Sequence, residues 1–160
     1  MGLLRGSRGV IDMDHRWHVR FLELARQVST WSRDPSTKCG AVLVRSDKSV
    51  ASLGFNGFPM FMRDDAHLYE DRAVKYDRVI HAEMNAVLFC RDPLPLSGIT
   101  LYTTGPCCSR CAVHMLQCGI RRFVWPSKVG DDLRVRWRID DTLLHLKEAG
   151  AELIEIELLP

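Results

Sequence analysis

Two periods run through the apolar positions of this chain. From Asp14, which can cap a helix, Trp17, Phe21, Leu24, Ala25, Val28 and Trp31 recur every three or four residues and predict an amphipathic helix with one buried face. The Arg33-Asp34-Pro35-Ser36 stretch ends it, because proline disfavours helix in the residue before it and has no N–H to donate. Residues 39–44 and 50–55 are short apolar runs on either side of a polar 45–49, the pattern of a hairpin. Residues 56–80 carry Asn56-Gly57, Pro59 and many charges without a sustained period, and so long a connection in a small domain predicts a segment that lines a site.

Beyond it, Met84, Val87 and Leu88 give the stripe of a helix over 82–90, which Asp92-Pro93-Leu94-Pro95 ends. A buried strand over 99–103 follows, then a helix over 108–118 stopped at Gly119, and a strand over 120–125. A last helix over 140–149, closed by Gly150, leads to a strand over 152–158. The order α-β-β-α-β-α-β-α-β predicts an α/β fold: a three-layer α/β/α sandwich whose five-stranded mixed sheet has its later strands parallel. A chain of 160 residues, 46% hydrophobic, is enough for a single domain, which we expect over 14–160 behind a flexible N-terminal tail of residues 1–13.

Charge narrows the partners. Twenty-two basic and 20 acidic side chains are interspersed, giving a net charge of +2, and no basic tract marks a surface for duplex nucleic acid. A small anionic ligand needs only a local basic site. No apolar run reaches the roughly 20 residues that span a bilayer, and the first 13 residues have no signal-peptide core, so a cytoplasmic location without membrane attachment is expected. The six cysteines then read as thiols or metal ligands rather than disulfides.

The chemistry sits at two junctions. His81-Ala82-Glu83 lies where the long loop enters a helix, and Cys108-Ser109-Arg110-Cys111 lies where a strand enters the next helix. One imidazole and two thiolates give Zn²⁺ three protein ligands and leave the fourth tetrahedral position for water, which is how catalytic rather than structural zinc is held. A helix N-terminus also favours thiolate over thiol at Cys108 and Cys111. Glu83 is set apart to exchange protons with the bound water. The pattern matches the deaminase signature H-x-E followed by P-C-x-x-C, except that Cys107 precedes Cys108 and the proline, Pro106, comes one position early. Cys107 and Cys111 offer an alternative C-x-x-x-C pairing.

The chain resembles the deoxycytidylate deaminase family from about Trp17 to Gly150. The likeness is carried by the segments Asp34-Pro35-Ser36-Thr37-Lys38-Cys39-Gly40, Gly54-Phe55-Asn56-Gly57-Phe58-Pro59, Ile80-His81-Ala82-Glu83-Met84-Asn85-Ala86, and Leu101-Tyr102-Thr103-Thr104 leading into Cys108-Ser109-Arg110-Cys111. The resemblance implies a cytidine deaminase-like α/β/α fold, a zinc cofactor, a homo-oligomer, and hydrolysis of dCMP to dUMP and ammonia for thymidylate synthesis. It implies that Asn56 bonds the sugar, that the Ala82 N–H binds the pyrimidine carbonyl, that the loop from Thr104 to Pro106 meets the leaving amine, and that Phe58 packs on sugar or base. For the phosphate it points to Lys38, Ser36 and Arg33, with Arg63, Arg72, Lys75 and Arg78 as alternatives. Family members commonly have glycine where this chain has Phe61, so a different loop shape is expected there, and with only His67 in residues 56–80 a single zinc is expected. The rival readings are a deaminase of cytidine, of a 5-substituted dCMP or of tRNA adenosine, and a zinc-stabilised binding module, which would have no use for Glu83.

Overall fold

The computed structural model describes residues 8–158, of which 8–13 as backbone only. The five strands are β1 (Gly40–Val44), β2 (Val50–Phe55), β3 (Thr100–Thr103), β4 (Arg122–Pro126) and β5 (Glu152–Ile156), in the order β2-β1-β3-β4-β5. The β1 strand pairs antiparallel with both β2 and β3, whereas β3, β4 and β5 run parallel. The sheet is therefore mixed and five-stranded, as expected.

Alternate strand residues feed two cores. On one face Ala41, Leu43, Leu101, Phe123 and Trp125 lie under α3 (Ala82–Leu88), α4 (Ser109–Gln117) and α6 (Ile139–Glu148). On the other, Val42, Val44, Tyr102, Val124 and Ile156 lie under α1 (Arg8–Ser29) through Phe21, Leu22 and Ala25. His18 of α1 shares a buried 2.8 Å hydrogen bond with the Tyr102 hydroxyl. Two glycines allow the helices to approach. A Cβ on Gly40 would stand 2.0 Å from the Ala25 carbonyl oxygen of α1, and one on Gly54 would stand 2.2 Å from the Ala82 carbonyl oxygen of α3. The second contact seats the first turn of α3 directly on β2.

Several boundaries differ from the periodicity. Backbone helix begins at Arg8, so α1 takes in the second half of the expected tail, and residues 1–7 lie outside the described part. Trp31 lies beyond the end of α1 and is half exposed, because the helix stops at Ser29 before its stripe is complete. The connection 56–80 contains a 3₁₀ turn (Ala66–Tyr69) and α2 (Arg72–Arg78), and α5 (Asp131–Arg136) precedes α6. Neither α2 nor α5 buries a residue, so neither shows the apolar period by which a helix is recognised. The connection is closed at its base, where Gly57 and Ile80 exchange backbone hydrogen bonds of 3.1 and 2.8 Å. Phe61 takes a left-handed φ of 70°, so the loop adopts there a backbone conformation suited to glycine, and carries a fully exposed aromatic side chain in it. No helix among the described residues is long and apolar enough to cross a membrane.

Candidate active site

The parallel strands end on one side of the sheet at the N-termini of α3 and α4. His81 is the N-cap of α3 and Cys108 the N-cap of α4, both with extended backbone, and of the two only the Cys108 side chain turns back to cap its helix. The Cys108 sulfur accepts the Cys111 N–H at 3.4 Å. His81 Nδ1 lies 3.5 Å from the Cys108 sulfur and 3.3 Å from that of Cys111, and the three donor atoms fall within 4.8 Å of one another. Ligands at 2.3 Å (sulfur) and 2.0–2.1 Å (nitrogen) from a tetrahedral zinc stand about 3.6 Å apart, so this donor set fits the ion. The buried Cys107 does not belong to the group.

The three groups share protons unevenly: the hydrogen bond to Cys108, with burial, pushes the Cys111 thiol up. The hydrogen bond from the Cys111 thiol, with those from His81 and the Cys111 N–H, pulls Cys108 down to about 4 against the opposing effect of burial. The hydrogen bond to Cys108 lifts His81 to about 8. Glu83, in the first turn of α3, is buried, and burial pushes its carboxyl above the usual range although His81 attracts its charged form. A carboxyl so placed beside a metal site can take a proton from a bound water and pass it on.

A cavity of about 630 Å³ opens onto His81, Glu83 and Cys108. Of the residues singled out above, Asn56, Ala82, Thr104 and Ser36 line it as well, and Phe58, Lys38 and Arg33 do not. Phe58 is stacked on Tyr69, centroids 4.2 Å apart, and it is Tyr69 that faces the cavity. Lys38 turns back to donate to the Ser32 carbonyl, and Arg33 points to Asp64 at 4.0 Å. The reason is Asp34. Its buried carboxylate accepts the N–H groups of Ser36 and Thr37 at 2.9 and 3.1 Å, curling the loop so that the two cations lie outside the cavity. Asp34 also receives Lys75 at 2.7 Å.

Asn56 is held by the same hub: it accepts the Cys39 N–H at 2.8 Å and donates to Thr37 O at 2.8 Å and to Asp34 at 3.4 Å. Both amide protons are therefore used inside the protein, and the oxygen, which already accepts the Cys39 N–H, has one lone pair left for a ligand. Thr104 accepts the Gly40 N–H at 3.1 Å and keeps its hydroxyl proton to give. The Ala82 N–H, at the first position of α3, has no intrahelical carbonyl to meet.

The periodicity gave no hint of Trp137, Arg136 and Arg138, at the junction of α5 and α6, which also line the cavity. Trp137 O accepts the Ser109 N–H at 3.1 Å, and the buried Thr142 hydroxyl donates to Cys107 O at 2.9 Å, so the junction grips both neighbours of Cys108. The acid pair Asp131-Asp132 and the basic Arg134 and Arg136 do mark the ends of α5 in the sequence.

The profile of the cytidine and deoxycytidylate deaminase zinc-binding region matches residues 15–127. The chain belongs to that family. Among relatives of this deaminase, an uncharacterised deaminase encoded in the luxG 3′ region of Aliivibrio fischeri is 35% identical over 91% of the chain and 97% of its own length. The probable deoxycytidylate deaminase of Caenorhabditis elegans is 35% identical over 68% of the chain, which spans 56% of that relative. In fold, this deaminase superposes on the dCMP deaminase of cyanophage S-TIM5, crystallised with dCMP and dUMP, with a TM-score of 0.71 at 22% identity, over 86% of this chain and 95% of that one. Zinc is the cofactor of the family region, and His81, Cys108 and Cys111 are the residues here able to hold it.

Proposed function

We propose that this deaminase converts dCMP to dUMP and ammonia. The observation that carries the reading is the conjunction of a metal-fitting His81–Cys108–Cys111 group with the buried carboxyl of Glu83, both facing one cavity. Matches to named deoxycytidylate deaminases support the choice of nucleotide.

Zinc held by the three ligands supplies a water activated for attack at neutral pH. The protein's own groups do the rest. The Ala82 N–H holds the pyrimidine carbonyl, and the Asn56 oxygen accepts from a sugar hydroxyl. Glu83 takes a proton from water and gives it to ring N3 as the oxygen adds to C4. It then passes the second water proton to the exocyclic amine, the C4–N bond breaks, and ammonia leaves past the Thr104–Pro106 loop. The enzyme works in the cytoplasm, where its six free cysteines stay reduced, and as a homo-oligomer, which would cover the exposed Trp31–Phe55 aromatic pair. Ammonia release from dCMP, measured before and after chelation and again after zinc is restored, tests the reading. Release that chelation abolishes and zinc restores is expected, and release untouched by metal removal contradicts it.

A further inference from the structure

Five cations line the cavity: Arg72, Lys75, Arg110, Arg136 and Arg138. Two are already spent within the protein, Lys75 on Asp34 at 2.7 Å and Arg138 on Asp141 at 2.6 Å. Among the described residues, Arg72, Arg110 and Arg136 have no carboxylate within ion-pair distance. Glu70, also on the cavity wall, stands two residues from Arg72 and offsets its field. Arg110 lies in the first turn of α4 between the two cysteine ligands, at the end of the cavity where the base must react. Arg136 is placed differently. A Cβ on Gly105 would meet the Trp137 ring at 3.6 Å, and the Arg136 guanidinium lies 5.9 Å from that ring's centre. Gly105 and Arg136 thus both lie beside the Trp137 ring, and all three line the cavity.

The wall is built, not a loose arm. The Trp137 carbonyl is bonded to Ser109, Thr142 is bonded to Cys107 in the core, and Arg138 is held in a left-handed φ of 54° between α5 and α6. The backbone on either side of Arg136 is fixed in this way, and its planar guanidinium, which no carboxylate among the described residues engages, suits bidentate binding of a phosphate monoester.

We infer that Arg136 is a specificity-determining residue that binds the substrate's phosphate, in place of the loop cations Arg33 and Lys38, so that the enzyme prefers nucleotide to nucleoside. The inference rests on the deaminase reading for the identity of the ligand. It does not rest on it for the anion site.

The test measures binding of dCMP and deoxycytidine, by tryptophan fluorescence, to zinc-loaded full-length protein carrying Glu83→Gln so that neither ligand is consumed. Adding Arg136→Ala should weaken dCMP by about 10- to 100-fold, the loss of one or two charge-assisted hydrogen bonds, and leave deoxycytidine unchanged. Arg136→Lys should restore part of the loss. Equal weakening of both ligands, no weakening of either, or a dCMP-selective loss with Lys38→Ala instead would overturn the assignment. If the wild-type protein releases no ammonia from dCMP but Arg136→Ala still separates the two ligands, the deaminase reading fails and the anion site stands.

Discussion

The wholly buried carboxylate of Asp34 meets the ammonium of Lys75 at 2.7 Å, joining the loop after α1 to α2 and fixing Asn56 between them. Burial pushes Asp34 up, but the bonds from Lys75 and from the N–H groups of Ser36 and Thr37 more than reverse this, and its carboxyl lies below the usual range. Lys75→Met strands that charge, and should cost about 3 kcal/mol in a urea titration at pH 7. The folded-state value is depressed, so the stability Asp34 contributes is present above the unfolded value of about 4 and is lost as pH falls through the lower folded value. The gap between wild type and Lys75→Met should therefore close as the titration is repeated below about pH 4.

Glu83→Gln keeps the shape of the side chain and removes its proton chemistry. Zinc content and melting temperature should stay at wild-type levels, while kcat falls by at least about 10²- to 10⁴-fold. Loss of zinc together with fold would instead make Glu83 a structural residue.

Phe61 sits in a left-handed conformation with its ring in solvent. Relief of about 1–2 kcal/mol of backbone strain, offset by the greater entropy of glycine in the unfolded chain, predicts that Phe61→Gly stabilises the protein by up to about 1 kcal/mol. Calorimetry that shows a lower melting temperature would refute the strain argument.

Thr142 gives its buried hydroxyl proton to the carbonyl of Cys107, next to a zinc ligand. Thr142→Val preserves the volume and orphans that carbonyl, at a cost of about 1–3 kcal/mol. Because the lost bond also steadies the turn bearing Cys108, zinc should be surrendered to a chelator faster than from wild type. Thr142→Ser should recover both properties.

The parts of the fold that could be read in advance are those in which burial imposes a period. Phe21, Ala25 and Val28 announce α1, and Ala41 to Val44 announce a strand buried on both faces. Helices α2 and α5 bury nothing and so went unread, since only Asp71 capping one and paired charges flanking the other mark them in the chain. The metal group was legible because H-x-E and C-x-x-C each place their residues at a helix start, where spacing alone fixes direction. Of the cavity's cations, Arg72 and Lys75 are among the alternatives the resemblance offers, but Arg110, Arg136 and Arg138 are not. Whether Lys38 or Arg136 faces a ligand depends on how Asp34 curls one loop and how Trp137 is pinned to Ser109, contacts between residues far apart in the chain.

The central claim, zinc-dependent deamination of a phosphorylated cytosine deoxynucleotide, is tested most directly by ultraviolet absorbance. The change would be followed for dCMP, CMP, deoxycytidine, cytidine, 5-methyl-dCMP and dCTP on adding zinc-loaded protein. The account predicts a loss of signal with dCMP, whether or not a 5-methyl group is tolerated, and little or none with the nucleosides. Turnover of the nucleosides alone, or of none of the six, would contradict it.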